Sequence, residues 1–210
     1  MLLDRYDFIR SFCRGKRVIH LGCADWPFTE RRIKSNSLLH EAIDGVAASL
    51  VGVDLASEGL ALMRDHNPKW DLYLKDATQF ESDEPFDVII ASELIEHIDC
   101  PGNLLRGIRQ WATPSSQLVI TTPNGYSLKG AIRAMANSEY AHPDHVVAFT
   151  TKTLEALHKR TGWKVLSTNY YHVDSERFAQ CLFSNGLRWL GNTVLSSRIG
   201  DGLITVSDPA

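Results

Sequence analysis

Short apolar runs alternate along this chain with longer amphipathic stretches, and this alternation restricts the possible folds more than any other feature. The runs are predicted strands, at residues 17–21, 49–54, 70–74, 86–91, 117–121, 163–169 and 203–206. The stretches between them predict helices, at residues 38–43, 57–66, 101–111 and 151–161. Strands that are apolar on both faces and alternate with helices form a parallel sheet covered on both sides. The sequence therefore predicts an α/β, doubly wound fold with a mostly parallel, seven-stranded sheet and helices on both faces.

Length and composition favour one domain over residues 1–210. The chain has 210 residues, of which 44% are hydrophobic and 22% charged, the balance of a globular protein. The connection over about 122–150 is long for a compact sheet, which predicts an insertion that faces the substrate. Within it, Leu128, Ile132 and Met135 have helical spacing and are expected to pack against the body. Ser57 is expected to cap the helix that begins there.

Charge and cysteine usage restrict partners and compartment. The formal net charge is −3, so no global positive field attracts nucleic acid. The four cysteines contain no C-x-x-C pair, which argues against a zinc ribbon and fits a reducing cytoplasm. The N-terminal residues lack the basic and apolar regions of a signal peptide, and no apolar run approaches the ~20 residues that span a bilayer. We therefore expect a cytoplasmic protein without a membrane span.

Three residues follow the first three strands at the edge of the sheet where ligands bind in open α/β folds. Gly22 lets the backbone approach a ligand closely, and Asp54 can accept hydrogen bonds from both hydroxyls of a ribose. Asp76 follows the third strand. Singly, each is explained as well by a packing turn or a helix cap. Together, in this order, they indicate a nucleotide-like ligand.

Five segments together resemble the class I S-adenosylmethionine (SAM)-dependent methyltransferases, namely residues 18–24, 51–55, 74–77, 86–93 and 117–124. The resemblance implies a Rossmann-like methyltransferase fold with SAM as cofactor. It implies that the first turn faces the methionine part, that Asp54 binds the ribose, and that Asp76 and Ala77 contact the adenine. His20 stands where the family usually has an acid. The cofactor-binding residues expected from the resemblance are His20, Gly22, Cys23, Ala24, Asp54, Leu55, Asp76, Ala77 and Ser92.

A candidate metal site follows the fourth strand. In a helical turn, Glu93, Glu96 and His97 would share one face, and two carboxylates with an imidazole suit Mg²⁺, Mn²⁺, Fe²⁺ or Zn²⁺. Alternatively, Glu93 lines the cofactor pocket while Glu96 and His97 cap a helix. The E-x-x-E-H motif resembles that of the ubiquinone-pathway O-methyltransferases. It is also similar to that of the small-RNA 3′-terminal 2′-O-methyltransferases, where a further histidine completes a divalent site.

In that resemblance His145 is the better match for the further histidine, and His142 is the second candidate. We expect Mg²⁺ or Mn²⁺ on Glu93, Glu96, His97 and His145. Because the pKa of histidine lies near operating pH, His145 and His142 are also candidates to deprotonate a hydroxyl.

The favoured function is SAM-dependent O-methylation of a hydroxyl on a small molecule or saccharide. The alternatives are a 3′-terminal ribose RNA methyltransferase and a non-catalytic SAM-binding scaffold. The remaining aromatic residues are expected to serve packing, namely Trp111, Trp163, Trp189 and the run Tyr170–His172.

Overall fold

The computed structural model describes residues 3–138, 142–172 and 197–210. Within these ranges the chain forms a seven-stranded sheet in the order β3-β2-β1-β4-β5-β7-β6. The strands are β1 Arg17–Leu21, β2 Ser49–Asp54, β3 Asp71–Leu74, β4 Phe86–Ser92, β5 Ala112–Pro123, β6 Trp163–Tyr171 and β7 Gly202–Pro209. The helices are α1 Arg5–Cys13, α2 Thr29–Lys34, α3 Leu39–Asp44, α4 Ser57–His66, α5 Pro101–Ile108, α6 Leu128–Met135 and α7 Thr151–Arg160. Short 3₁₀ turns occupy Ile95–His97, Arg109–Trp111 and Ser197–Ile199.

The five neighbouring strands β3, β2, β1, β4 and β5 are parallel. Strand β7 lies between β5 and β6 and is antiparallel to both. The chain order reverses at β1, which pairs with β2 on one side and with β4 on the other. Such a switch point leaves a crevice beyond the carboxyl ends of the strands, where ligands of doubly wound proteins bind. The predicted fold class is thus confirmed, and the candidate residues that follow β1, β2 and β4 meet at this crevice.

Alternate residues of the central strands pack on opposite faces of the sheet, which explains why the strands are apolar throughout. On β1, Val18 packs in the core beside α1 and α3, whereas Ile19 packs in the core beside α5 and α7. Burial of Trp111 and Trp163 in the second of these cores confirms the expectation for both. Trp189 lies outside the described residues.

Two local expectations are wrong. Ser57 is the first residue of α4 and does not cap it: the N-cap is Ala56, and the Ser57 hydroxyl donates to Glu58. The N–H of Ala56 is bound instead by Asp54. Ile132 and Met135 do not pack against the body, since they are 40% and 79% exposed, whereas Leu128 of the same helix is partly buried.

The described helices are all too short or too polar to cross a lipid bilayer.

Candidate active site

The turn after β1 is built for close approach. Gly22 has φ +72°, a left-handed conformation that favours glycine. Its N–H donates to the Val53 carbonyl at 2.9 Å, which joins the ends of β1 and β2. A Cβ at this glycine would lie 3.4 Å from Leu94, so the turn after β1 lies against the chain that follows β4.

Asp54, at the end of β2, fixes this turn. Its Oδ2 accepts the Ala24 N–H at 2.8 Å, and its Oδ1 accepts the Ala56 N–H at 2.9 Å. Ala24 is absent from the positive-φ residues of the described chain, so its Cβ causes no backbone strain in this turn. Cys23 and Ala24 are buried and can face a ligand only through their main chains.

The residues after β3 and β4 complete the expected cofactor side. Asp76 Oδ1 accepts the Thr78 N–H at 2.8 Å and the Thr78 hydroxyl at 2.7 Å, which shapes the turn after β3. Ala77 is buried beside it, whereas Leu55, after β2, is 66% exposed. Ser92 and Thr121 share a hydroxyl hydrogen bond at 3.0 Å across the ends of β4 and β5.

The side chain of His20 points away from the expected cofactor contact. Its ring is buried and stacks on His40 of α3, with the two Nδ1 atoms 3.4 Å apart. Burial lowers the pKa of His20 well below its usual value, and nearby His40 and Arg5 lower it further. A neutral, buried imidazole does not replace the charge of the usual acid. Any contact of His20 with a cofactor is therefore through its main chain.

Glu93 does not share a helical face with Glu96 and His97. It has φ +50° and precedes the 3₁₀ turn Ile95–His97, so the expected helical spacing does not apply. Glu93 Oε1 accepts the Thr121 hydroxyl at 2.9 Å and also the Tyr171 hydroxyl. Arg5 Nη1 lies 3.6 Å from the same oxygen. Glu93 is thus part of a network with α1, β5 and β6.

Glu96 is buried, with a side chain only 1% exposed. Its Oε2 accepts the Thr122 hydroxyl at 2.9 Å, whereas Oε1 has no hydrogen-bond partner among the described residues. Burial, and next the charge of Glu93, raise the pKa of Glu96 to about 8. Glu96 therefore takes up a proton more readily than an ordinary glutamate, although Arg5 opposes this shift.

Three histidines gather beside Glu96. The rings of His97 and His145 are 4.6 Å apart, and those of His142 and His145 are 5.3 Å apart. The segment that carries His142 and His145 is tied to the 3₁₀ turn, because the N–H groups of Val146 and Val147 both contact the Glu96 carbonyl. Burial, and next the neighbouring His97 and His142, lower the pKa of His145.

Sequence reasoning missed the side chains that hold Glu93 and Glu96. Arg5 lies on α1, a helix that is not among those predicted from the sequence. The sequence signal for this helix is its N-cap, Asp4, whose side chain accepts the Asp7 N–H. Thr121 and Thr122 come from consecutive positions at the end of β5. Tyr171, expected to serve packing alone, is buried as expected but also donates its hydroxyl to Glu93.

A parallel sheet with an antiparallel β7 and a ligand crevice beyond β1, β2 and β4 defines the class I SAM-dependent methyltransferases. The family described as "Methyltransferase domain" matches residues 3–168. The chain belongs to this family.

Comparisons with individual proteins agree on the fold. The chain is 26% identical over 132 residues to a ubiquinone biosynthesis O-methyltransferase of Aromatoleum aromaticum, covering 60% of this chain and 51% of that protein. It thus spans about half the length of that relative. It is 24% identical over 176 residues to the protein of the same name from Pseudoalteromonas translucida, covering 77% and 70%. The magnesium protoporphyrin IX methyltransferase of Synechocystis, solved with S-adenosyl-homocysteine, superposes with a TM-score of 0.64 at 10% identity, covering 98% and 82%.

Proposed function

We propose that this chain is a SAM-dependent O-methyltransferase that acts on a hydroxyl of a small molecule or saccharide. The observation that carries the proposal is the position of His145. Its imidazole lies beside Glu96, with 4.0 Å between Nε2 and Oε1, and Glu96 follows the Leu94 that contacts the Gly22 turn. These contacts link His145, through Glu96, to the segment that lies against the turn which, by resemblance, faces the methionine part of SAM.

The residues present fit SAM. Asp54 offers a carboxylate at the end of β2 for the ribose, and Gly22 leaves the turn after β1 without a side chain. Leu55 follows β2, and Leu74 is the last residue of the neighbouring β3. They are 66% and 55% exposed, which provides apolar surface for an adenine ring. When bound, SAM supplies a methyl group on a positively charged sulfur, which makes that carbon electrophilic.

His145 is suited to remove the acceptor's proton. Its lowered pKa keeps the imidazole neutral at pH 7, so that a ring nitrogen has a lone pair available. The hydroxyl proton passes to that nitrogen as the oxygen forms its bond to the methyl carbon. The carbon–sulfur electron pair would stay on the departing sulfur of SAM, and His145 would then release the proton to water. His142 is the alternative base, and alignment of the two reactants provides most of the remaining acceleration.

The names of the two O-methyltransferase relatives support oxygen as the acceptor atom. The net charge of −3 supports a small acceptor rather than a nucleic acid, and a cytoplasmic location remains a prediction.

The test measures SAM binding by calorimetry and transfer of labelled methyl groups to a panel of catechols, phenols, monosaccharides and a short RNA. We expect SAM binding and label on a phenolic or saccharide oxygen. His145→Ala should lower transfer by about 100-fold or more while SAM affinity changes less than about twofold. His66→Ala is the matched control, because His66 lies on α4 and pairs with Glu41.

SAM binding without transfer to any acceptor would favour the non-catalytic scaffold, and absence of SAM binding would contradict every SAM-dependent interpretation. Label on the RNA terminus alone would favour the 3′-terminal ribose RNA methyltransferase. Full transfer by His145→Ala would contradict the assigned base.

We propose further that the insertion, at about 122–150, faces the acceptor. Helix α6 has no buried residue, and Ile132 is 40% exposed. Hydrogen exchange over residues 128–135 should slow when SAM and acceptor are both bound, whereas exchange in the core of α7 should not change. Equal exchange of α6 in both states would count against this role.

A further inference from the structure

Three imidazoles converge beyond β4, and two of them also contact Asp144: the Nδ1 of His97 lies near its carbonyl, and the Nδ1 of His142 accepts its N–H at 3.4 Å. One ring nitrogen from each of His97, His142 and His145 lies within 4.8 Å of the others. The Nδ1 of His97 lies 3.1 Å from the Asp144 carbonyl. A histidine that binds a metal commonly donates its second ring N–H to such a carbonyl, which orients the other nitrogen toward the ion. With its Nδ1–H donated to this carbonyl, His97 would offer Nε2 to an ion.

A buried carboxylate oxygen lies beside the three imidazoles, next to His145. Glu96 Oε1 has no hydrogen-bond partner among the described residues and lies 4.0 Å from Nε2 of His145. The other oxygen, Oε2, is held by the Thr122 hydroxyl. An unpartnered carboxylate oxygen is costly to bury, and a cation at the imidazoles would offset that cost.

Glu93 lies outside this group. Its Oε1 accepts from Thr121 and Tyr171 and faces Arg5 at 3.6 Å, so a shift toward the histidines would break these contacts. The ligand set expected from the sequence, with Glu93 as a member, therefore does not fit the structure.

We propose that His97, His142, His145 and Glu96 bind one divalent ion of the borderline class, such as Zn²⁺, Fe²⁺ or Co²⁺, in place of Mg²⁺ or Mn²⁺. Three nitrogens and one oxygen suit such ions, whereas Mg²⁺ prefers oxygen ligands and retains several waters. Ligand atoms around tetrahedral Zn²⁺ are roughly 3.4 Å apart, so the imidazole nitrogens, which lie within 4.8 Å of one another, must approach by up to about 1.4 Å.

The role of this ion rests on the proposed function: a hydroxyl bound to it would lose its proton more readily, and His145 would then act as a ligand of the ion instead of as the base. Binding of the ion does not rest on it.

The experiment uses the full chain, freed of metal by a chelator and dialysed, with no SAM or acceptor present. Calorimetric titrations with Zn²⁺ and with Mg²⁺ give stoichiometry and affinity, and the visible spectrum of the Co²⁺ complex reports coordination by nitrogen. We expect one equivalent of Zn²⁺ or Co²⁺ to bind, an intense visible Co²⁺ spectrum, and no displacement by excess Mg²⁺.

Variants then identify the ligands. His142→Ala and Glu96→Gln should each weaken Zn²⁺ binding by at least about tenfold. Glu93→Gln should leave the affinity for Zn²⁺ unchanged within about twofold. His66→Ala is the matched histidine control. Circular dichroism checks that each variant folds.

Undiminished Zn²⁺ binding in His142→Ala, a tenfold loss in Glu93→Gln, or preferential binding of Mg²⁺ would overturn the assignment. The assignment would also be overturned if neither Zn²⁺ nor Co²⁺ bound to the protein. Stoichiometric Zn²⁺ binding without methyl transfer would support this site and contradict the proposed function, so the two can fail separately.

Discussion

Replacing Asp54 with alanine is expected to weaken SAM binding by at least about tenfold in a chain that still folds. By resemblance, the carboxylate binds both ribose hydroxyls, and each charge-assisted hydrogen bond contributes about 1.5–3 kcal/mol before water compensates. The structure adds a second reason for a loss. Asp54 also accepts the N–H groups of Ala24 and Ala56, so its removal releases the turn after β1 that faces the methionine part.

The affinity of each variant for SAM is measured by calorimetry, and folding is checked by thermal unfolding. Asp65→Ala is the matched control, since Asp65 is an exposed acid on α4. Asp54→Asn should show an intermediate loss, because an amide has one accepting oxygen instead of two. Unchanged affinity in a folded Asp54→Ala protein would contradict the ribose assignment.

The sheet could be predicted from the sequence where burial alone decides the structure. The strands β1 and β2 have the predicted bounds because residues 17–21 and 49–54 are apolar runs between polar segments. Helix α4 also has its predicted bounds at residues 57–66. β5 is longer than predicted, beginning at Ala112 instead of residue 117, because pairing with Phe86 of β4 extends it over polar residues.

The chemistry at the strand ends could be predicted only in part. The spacing of E-x-x-E-H predicts one helical face, yet the positive φ of Glu93 turns its side chain toward Thr121 and Tyr171. The orientation of the Glu93 side chain depends on Tyr171 of β6, which is 78 residues away in sequence, so no local sequence pattern predicts it.

The same limit applies to the insertion and to the first helix. The spacing correctly predicts the helix α6, but it does not show whether another element packs against the apolar face of that helix. The N-terminal Arg5 was not identified because its partner, Glu93, becomes adjacent only after folding.

The pair formed by His20 and His40 is expected to make the protein less stable as the pH falls. Both rings are buried, they stack with centroids 5.6 Å apart, and Trp70 packs edge-on against His40. The Nε2 atoms of both have no hydrogen-bond partner among the described residues. Burial lowers the pKa of His40 to about 3 and that of His20 well below its usual value. The folded protein therefore keeps both rings neutral at mildly acidic pH.

The sign follows from proton linkage. An unfolded histidine has a pKa of about 6.5, so between pH 6.5 and about 3 the unfolded chain binds protons that the folded chain does not. The free energy of unfolding is then fully retained above about pH 7 and decreases as the pH falls through 6.5. At pH 5.5 each ring should lower it by about 1.4 kcal/mol, and the pair by about 2.8 kcal/mol. This is a large part of the 5–15 kcal/mol that is typical of a domain.

Urea unfolding at pH 7.5 and at pH 5.5 measures this loss, and comparison with His40→Gln isolates the contribution of the pair. Other groups that bind protons on unfolding, such as buried His158, contribute equally to both proteins and cancel in the difference. The variant should lose about 1.4 kcal/mol less than the wild type between the two pH values, whatever its stability at pH 7.5. It loses one of the two titrating rings, while buried His20 continues to contribute in both proteins. An equal pH dependence in the two proteins would contradict the neutral, buried pair, because a His40 that is protonated in the folded state would produce that result.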